Sequence, residues 1–403
     1  MNWLITENEL DREQRKFLSE FMNRNTNECI LGFPGSGKTI LLYYAAIAIR
    51  KMKPDAKILF VEFTHALINM IEASLKQMHI RDMKVVTQYE FEKMHHAEEY
   101  DCIICDEVQD LSPRVLKHIA KQAQRVIVGE DQNQKVYKKD PQWNKRTCTD
   151  NDIMQILHPE VTRLNIVHRL GRFVVEAANE VMPEMNILSE GRISMMKKNI
   201  KIRLWKANNQ QQEVSAVFQE AKETLRMTDS VAILLPSHSK ITNFTNKVLS
   251  DAGKKEWKWV YDDHGNLDYN KMNNYLESCG IPMHYVGNGY GSFLDDKPMI
   301  TLMTYHGSKG LDFDKVFLPF CNYYDNNTKK VDNDKQVFLV GMTRSRGDLI
   351  ISFSKKLNSF VSRFAENCTH KDLSNDGTPT LFDIPIKSVS KNERIKVGEL
   401  FGW

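Results

Sequence analysis

"LGFPGSGKTI", residues 31–40, sets three glycines, a proline, a lysine and a threonine between two apolar runs. Gly32 to Thr39 fits the pattern G-x-x-x-x-G-K-[ST] of a phosphate-binding loop. Residues without a β-carbon let backbone N–H groups close around a pyrophosphate and adopt φ values that other residues avoid. A helix starting at the end of the loop aims its N-terminus and its positive dipole end at the phosphates. In that reading Gly32, Gly35, Ser36, Gly37, Lys38, Thr39 and Ile40 line the phosphates. Lys38 reaches the β- and γ-phosphates, and the Thr39 hydroxyl holds Mg²⁺. The stretch predicts a bound nucleotide with Mg²⁺.

The surrounding chain supplies the sheet that such a loop needs. Short β-rich runs, "NECILGF", "AKILFVEF", "MKVVTQY", "YDCIICDE" and "QRVIVGED", recur through the first half, with helical patterns at 40–52, 65–78 and 112–124. Near-continuous apolar strands alternating with helices indicate a parallel sheet covered on both faces. A second series, "IKIRLW", "SVAILLPS", "MITLMTYH", "KVFLPF" and "DLIISFS", follows after about residue 162, with helices expected at 171–181, 210–226 and 239–252. This predicts an α/β protein with one domain over 1–161 and a second over 162–367. The polar segment at about 254–298 reads as a small insertion in the second sheet. The Asn-, Asp-, Thr- and Pro-containing tail, 368–403, reads as weakly structured.

Composition narrows the classes. The chain has 403 residues, 41% hydrophobic and 27% charged, values of an ordinary globular protein of two domains. No apolar run approaches the ~20 residues that span a bilayer, and the start of the chain lacks the layout of a signal peptide. Seven cysteines spread along the chain suit a reducing compartment, so a cytoplasmic location with no membrane partner is expected. Cys102 and Cys105 form C-x-x-C, but inside a run that reads as a buried strand, and core packing explains them better than a metal does. A net charge of +3 neither demands nor excludes nucleic acid, because a basic groove can sit in a balanced total.

"DCIICDEVQD", residues 101–110, places Asp106 and Glu107 at the carboxyl end of a strand. In a sheet carrying a phosphate loop, that end faces the nucleotide crevice. Asp106 would join Thr39 around Mg²⁺, and Glu107 would orient and deprotonate the water that attacks the γ-phosphate. Phosphoryl transfer then needs positive charge on the equatorial oxygens.

"DEVQD" resembles motif II of superfamily 1 helicases, the group of UvrD, Rep and PcrA, and the other motifs of that family follow in order. "ELDREQRKFL" resembles the Q motif, which makes Gln14 an adenine-reading amide. "VEFTHAL" (61–67) resembles motif Ia and "TQYEF" (87–91) the next strand-contacting element, which implies that Thr64, His65 and Tyr89 touch single-stranded nucleic acid. "VGEDQNQKVY" (128–137) resembles motif III, with Gln134 sensing the γ-phosphate and Tyr137 stacking on a base. "LNIVHRL" (164–170) resembles motif IV, "MTYHGSKGLDFDKVFLP" (303–319) motif V and "VGMTRSRGDLIIS" (340–352) motif VI.

The resemblance implies two RecA-like, P-loop NTPase-type domains with parallel sheets covered by helices. Arg169 and Arg344 would supply charge across the cleft, an arrangement worth roughly 10³–10⁵ in rate. Arg346 is a lesser candidate. His306 and Lys309 would touch the strand's backbone, and Trp143, in the polar run "KKDPQWNKR", reads equally as an exposed stacking platform or as a core residue. His168 stands where relatives carry an adenine-stacking tyrosine, and Asp312 where they carry a ribose-holding glutamate. The family's 1B insertion and a full 2B domain find no room in the chain. The expected activity is ATP-dependent helicase action or translocation on single-stranded DNA, 3′→5′ as in the group. The alternative is an ATP-gated binding switch within a larger complex, partnered by a nuclease or other effector.

Overall fold

The computed structural model describes residues 5–77, 83–94, 98–131, 134–135, 144–194, 199–228, 230–262, 265, 267–287, 289–291, 298–323 and 334–374. Six strands make the sheet of the first lobe: β1 (Glu28–Gly32), β2 (Ile58–Glu62), β3 (Lys84–Thr87), β4 (Tyr100–Cys105), β5 (Ala123–Glu130) and β6 (Glu160–Leu164). Their order is β3-β2-β4-β5-β1-β6, and the pairings are parallel. All five β2 side chains are buried, as expected of a strand covered on both faces. α1 (Arg12–Phe21) precedes the sheet, and the connections between strands carry α2 (Lys38–Met52), α3 (His65–Gln77), α4 (Gln88–Met94), α5 (Pro113–Gln122) and α6 (Asp150–Leu157).

Local chemistry sets the helix ends that matter. Asp11 caps α1 by accepting from the Gln14 N–H at 2.8 Å, and the Gln14 side chain reaches back to the Asp11 N–H at 3.0 Å. Ser112 accepts from Val115 N–H to start α5, with Pro113 in the first helical position, where its missing N–H costs nothing. α5 passes into β5 without a loop.

A short pair, β7 (Ile166–Val167) with β8 (Arg192–Ile193), lies between the two large sheets. The second lobe holds β9 (Arg203–Lys206), β10 (Val231–Leu235), β11 (Met283–Tyr285), β12 (Ile300–Thr304), β13 (Phe313–Leu318), β14 (Ser345–Phe353) and β15 (Thr369–Asp372). These run parallel in the order β11-β12-β10-β13-β14-β9-β15. Its helices, with those of the connection, are α7 (Arg172–Val181), α8 (Ile187–Glu190), α9 (Gln210–Thr224), α10 (His238–Asp251), α11 (Tyr269–Ser278) and α12 (Lys335–Met342). Among the described residues no helix is long and apolar enough to cross a membrane.

Three sequence expectations change. The boundary after 161 falls inside β6, whose pairing with β1 continues to Leu164. The segment 254–298 is more than a polar insertion: it supplies α11 and the edge strand β11. Tyr269, Met272 and Leu276 recur at helical spacing on the buried face of α11, a pattern diluted by its Asn and Lys neighbours. The tail begins as structure, because Thr369–Asp372 pairs with β9 as an edge strand. One apolar cluster crosses both lobes, with Leu67 and Ile71 of α3 joined to Met303, Tyr305 and Leu311.

Candidate nucleotide site between two lobes

The loop after β1 is built as its glycines predict. Gly35 and Gly37 have φ values of +77° and +90°, and a β-carbon on Gly37 would lie 2.4 Å from the Gln14 amide nitrogen. A β-carbon on Gly32 would meet Ser36 Oγ at 2.3 Å, and one on Gly35 would meet Arg169 at 2.5 Å. The loop is therefore a cradle that larger side chains would fill. Its apex is anchored by the connection between lobes: the Gly35 carbonyl accepts from His168 N–H at 2.9 Å and Arg169 N–H at 3.2 Å. Lys38, buried, donates to the carbonyls of Gly32 (2.7 Å) and Phe33 (3.3 Å) and lies 3.6 Å from Asp131.

The carboxylates gather at the neighbouring strand ends. β5 stands between β1 and β4, so Thr39 reaches Asp106 past the end of β5. Gly129 makes this possible, since a β-carbon there would sit 2.4 Å from Asp106 Oδ1. The Thr39 hydroxyl hydrogen-bonds Asp106 Oδ2. Burial, and next the Glu107 charge, raise the Asp106 carboxyl, against the pull of Thr39 and Lys38. Glu107 has a left-handed backbone (φ 51°), a strained geometry for a side-chain-bearing residue. Its Oε2 accepts from Gln109 Nε2 at 2.6 Å, while Gln109 Oε1 accepts from Asp131 N–H at 3.1 Å. Burial opposes the Glu107 charge, but Lys309, Lys38, Gln109 and Arg344 together hold its carboxyl below the usual range.

The second lobe answers with cations. Arg344, only 1% exposed, sits between α12 and β14 and donates to the carbonyls of Val340 (2.9 Å) and Leu311 (3.0 Å). Its Nη2 reaches across to Gln134 Oε1 of the first lobe at 2.8 Å. Burial, with Arg169 nearby, pulls its guanidinium down to about 9, so it stays charged at neutral pH. Arg169 contacts the Leu311 carbonyl and Asp312, both at 3.4 Å. Asp312 is shared with Arg346 at 3.5 Å, and Arg346 also pairs with Asp314.

Lys309 lies elsewhere than on a strand-facing surface. Its ammonium is 2% exposed, 2.5 Å from Asp110 Oδ2 and 3.4 Å from Glu107 Oε2. Burial opposes its charge, but Asp110 and Glu107 more than offset this and raise the ammonium above the ordinary lysine value. Burial in turn lifts Asp110 to about 6 against the pull of Lys309.

Around the expected base position, Gln14 is buried and its Nε2 donates to the Ser36 carbonyl at 3.2 Å. His168 Nε2 pairs with Asp11 Oδ2 at 2.5 Å. Of the expected strand contacts, Thr64 accepts from Leu67 N–H at the start of α3, His65 is exposed beside Gly289, and Tyr89 is half-buried in the first turn of α4. His306 is half-buried. Burial lowers its imidazole, with Asp334 opposing and His238 and Lys309 assisting. Tyr137 and Trp143 lie outside the described residues. Trp257 packs on Tyr275 and Trp259 on Tyr269.

Sequence reasoning missed three contributors. Asp110, the last residue of "DEVQD", docks Lys309. Gly129 makes room for Asp106. Glu62, fully buried at the end of β2, accepts from the Asp106 N–H at 3.4 Å, and burial together with Asp106 raises its carboxyl well above the ordinary value. Asp110, Gly129 and Glu62 all lie inside quoted motifs, but their partners come from other strands or from the other lobe.

A glycine cradle, a Thr–Asp pair and a carboxylate facing cations from a second parallel sheet define a two-lobed, RecA-like P-loop nucleotide-binding protein. A family model of an AAA domain matches residues 14–140, and one of the UvrD-like helicase C-terminal domain matches residues 261–356. In these two stretches the chain is similar to the UvrD-like helicases of superfamily 1. It is similar to DNA helicase II of Rickettsia typhi, 23% identical over 159 residues, which cover 30% of this chain and 23% of that protein. A probable DNA helicase II homolog of Rickettsia conorii is 27% identical over 115 residues, 24% of this chain and 17% of that one. These alignments span about a fifth of the length of the curated relatives. Among solved structures, the PRRSV helicase aligns over 84% of this chain and 54% of its own, at 12% identity and a TM-score of 0.41.

Proposed function

We propose that the chain is an ATP-dependent motor of superfamily 1 that moves 3′→5′ along single-stranded DNA. The supporting observation is the hydrogen bond of Arg344 to Gln134, which joins the expected γ-phosphate sensors of opposite lobes at one point. ATP would lie with its phosphates in the Gly32–Thr39 cradle. Mg²⁺, held by Thr39 and Asp106, would supply positive charge against the β- and γ-phosphate oxygens. Lys38 would exchange its carbonyl partners for phosphate oxygens, and Arg344 and Arg169 would stabilise the charge that develops in the transition state. Glu107 would take the proton of the attacking water as the bond from the γ-phosphorus to the ADP oxygen breaks.

Because the cleft needs both lobes, hydrolysis changes how they are held together. That change drives the strand contacts of Thr64, His65 and Tyr89 on one lobe and His306 on the other. The test is steady-state ATP hydrolysis by the purified chain, with and without single-stranded DNA, alongside Lys38→Ala. Stimulation of about tenfold or more, lost in the variant, is the expected result. A flat, low rate in both conditions would exclude an independent motor and favour an ATP-gated switch completed by a protein partner.

A further inference from the structure

The Lys309–Asp110 pair is the most deeply buried ion pair between the two lobes among the described residues, and hydrolysis as outlined above leaves it without a task. Its placement is tightly determined. Residues 305–310 form a compact turn after β12, in which Ser308 N–H bonds the Thr304 carbonyl at 3.0 Å and Lys309 N–H bonds that of His306 at 3.2 Å. Thr304 Oγ1 accepts from Gly307 N–H at 3.0 Å, and Ser308 Oγ donates to the Tyr305 carbonyl at 2.8 Å. Gly310, at φ +81°, leans on Leu67, where a β-carbon would lie 2.3 Å from a methyl carbon. The turn is thus wedged between α3, which begins beside Thr64 and His65, and the acidic strand end of β4.

Two residues of this one turn serve different places. His306 belongs to the expected strand face, and Lys309 enters the cleft. There Lys309, hydrogen-bonded to Asp110, holds its ammonium 3.4 Å from Glu107 Oε2, which already accepts from Gln109. A hydrogen bond and an ion pair thus meet on one oxygen of the expected base.

We propose that Lys309 is a positioning residue that restrains Glu107, and that a strand engaging the turn at His306 withdraws it. This rests on the motor reading for the role of Glu107 and for the strand's path. Lys309 acts through Glu107, with Asp110 as its dock. Removing either Lys309 or Asp110 frees the Glu107 carboxylate without touching the phosphate cradle.

The test is ATP hydrolysis at saturating Mg²⁺-ATP without any strand, for the full chain and for Lys309→Met and Asp110→Asn, with thermal melts to verify folding. Both variants are expected to raise the strand-free kcat by about tenfold at unchanged KM, a small part of the 10²–10⁴ that a placed general base contributes. Lys309→Arg, which keeps a cation in the turn, pulls the rate back below that of Lys309→Met. Adding Glu107→Gln to Lys309→Met must abolish the gain. A strand-free rate at or below that of the unmodified chain in both folded variants overturns the restraint and makes Lys309 a charge donor instead. So does a gain that survives Glu107→Gln. Equal rates of the unmodified chain with and without strand would sink the motor reading, while the variant comparison still decides the restraint.

Discussion

The two lobes share one plan, a parallel sheet with helices on its faces, yet they bring opposite charge to the cleft between them. The first presents Asp106, Glu107, Asp110 and Asp131 at the ends of β4 and β5, with Lys38 as its cation. The second presents Lys309 and Arg344, joined by Arg169 from the connection between lobes. Neither set is satisfied alone. Buried carboxylates without cations, or a buried guanidinium without acceptors, would each cost several kcal/mol. The contrast explains why the lobes meet where the chemistry is expected. On the proposed motor reading the difference also separates the two lobes' duties: the first would hold the phosphates, and the second would complete the charge balance.

The strongest way to break this division is Arg344→Ala. It should lower ATP turnover by roughly 10³–10⁵ if the second lobe supplies transition-state charge, while a fluorescent ATP analogue still binds the first lobe. Comparable loss of binding and turnover would mean that Arg344 serves docking alone. Next in size is Glu107→Gln, expected to reduce turnover by roughly 10²–10⁴ with ATP affinity retained. Turnover near that of the unmodified chain would remove Glu107 from the base role.

A matched pair of substitutions sharpens the comparison further. Gly129→Ala forces a β-carbon against Asp106, so it should raise the Mg²⁺ concentration for half-maximal hydrolysis and cost about 1–3 kcal/mol of stability. In the second lobe, Glu213 accepts from Phe320 N–H at 2.7 Å and Ser352 Oγ at 2.9 Å. Glu213→Ala leaves those donors buried and should cost a similar ~1–3 kcal/mol, read in thermal melts, with the Mg²⁺ requirement unmoved. Should both variants shift the Mg²⁺ requirement alike, the division of labour fails. The smallest effect belongs to Arg146→Ala. Its pair with Asp152 is exposed and screened by solvent, so its loss should leave the thermal melt essentially unmoved.

Legibility differed between the lobes in the same way as charge. In the first, the cradle, the metal-side pair Thr39–Asp106 and Glu107 lie in two contiguous stretches, because a strand followed by a tight turn puts neighbouring residues on one crevice. In the second, Arg344 was readable from "TRSR" in the company of the other motifs, as was Gln134 in the first, but their hydrogen bond across the cleft was not. The segment holding α11 and β11 escaped because its buried face is sparse among polar residues, and β15 because four residues at a sheet edge carry too little apolar pattern.

The amino-acid sequence by itself determined the phosphate-loop pattern, the paired strand-end acids, the two-lobed parallel α/β plan and the resemblance to superfamily 1 helicases. Each of those follows from local geometry, from spacing or from an ordered series of short motifs. Only the tertiary structure decided that Lys309 turns into the cleft, that Asp110 receives it, that Glu62 lies under Asp106 and that Gly129 must lack a side chain. These are contacts between strands or lobes distant in the chain. A charged residue in a polar turn has the same sequence signature whether it faces solvent or an acid from the opposite lobe.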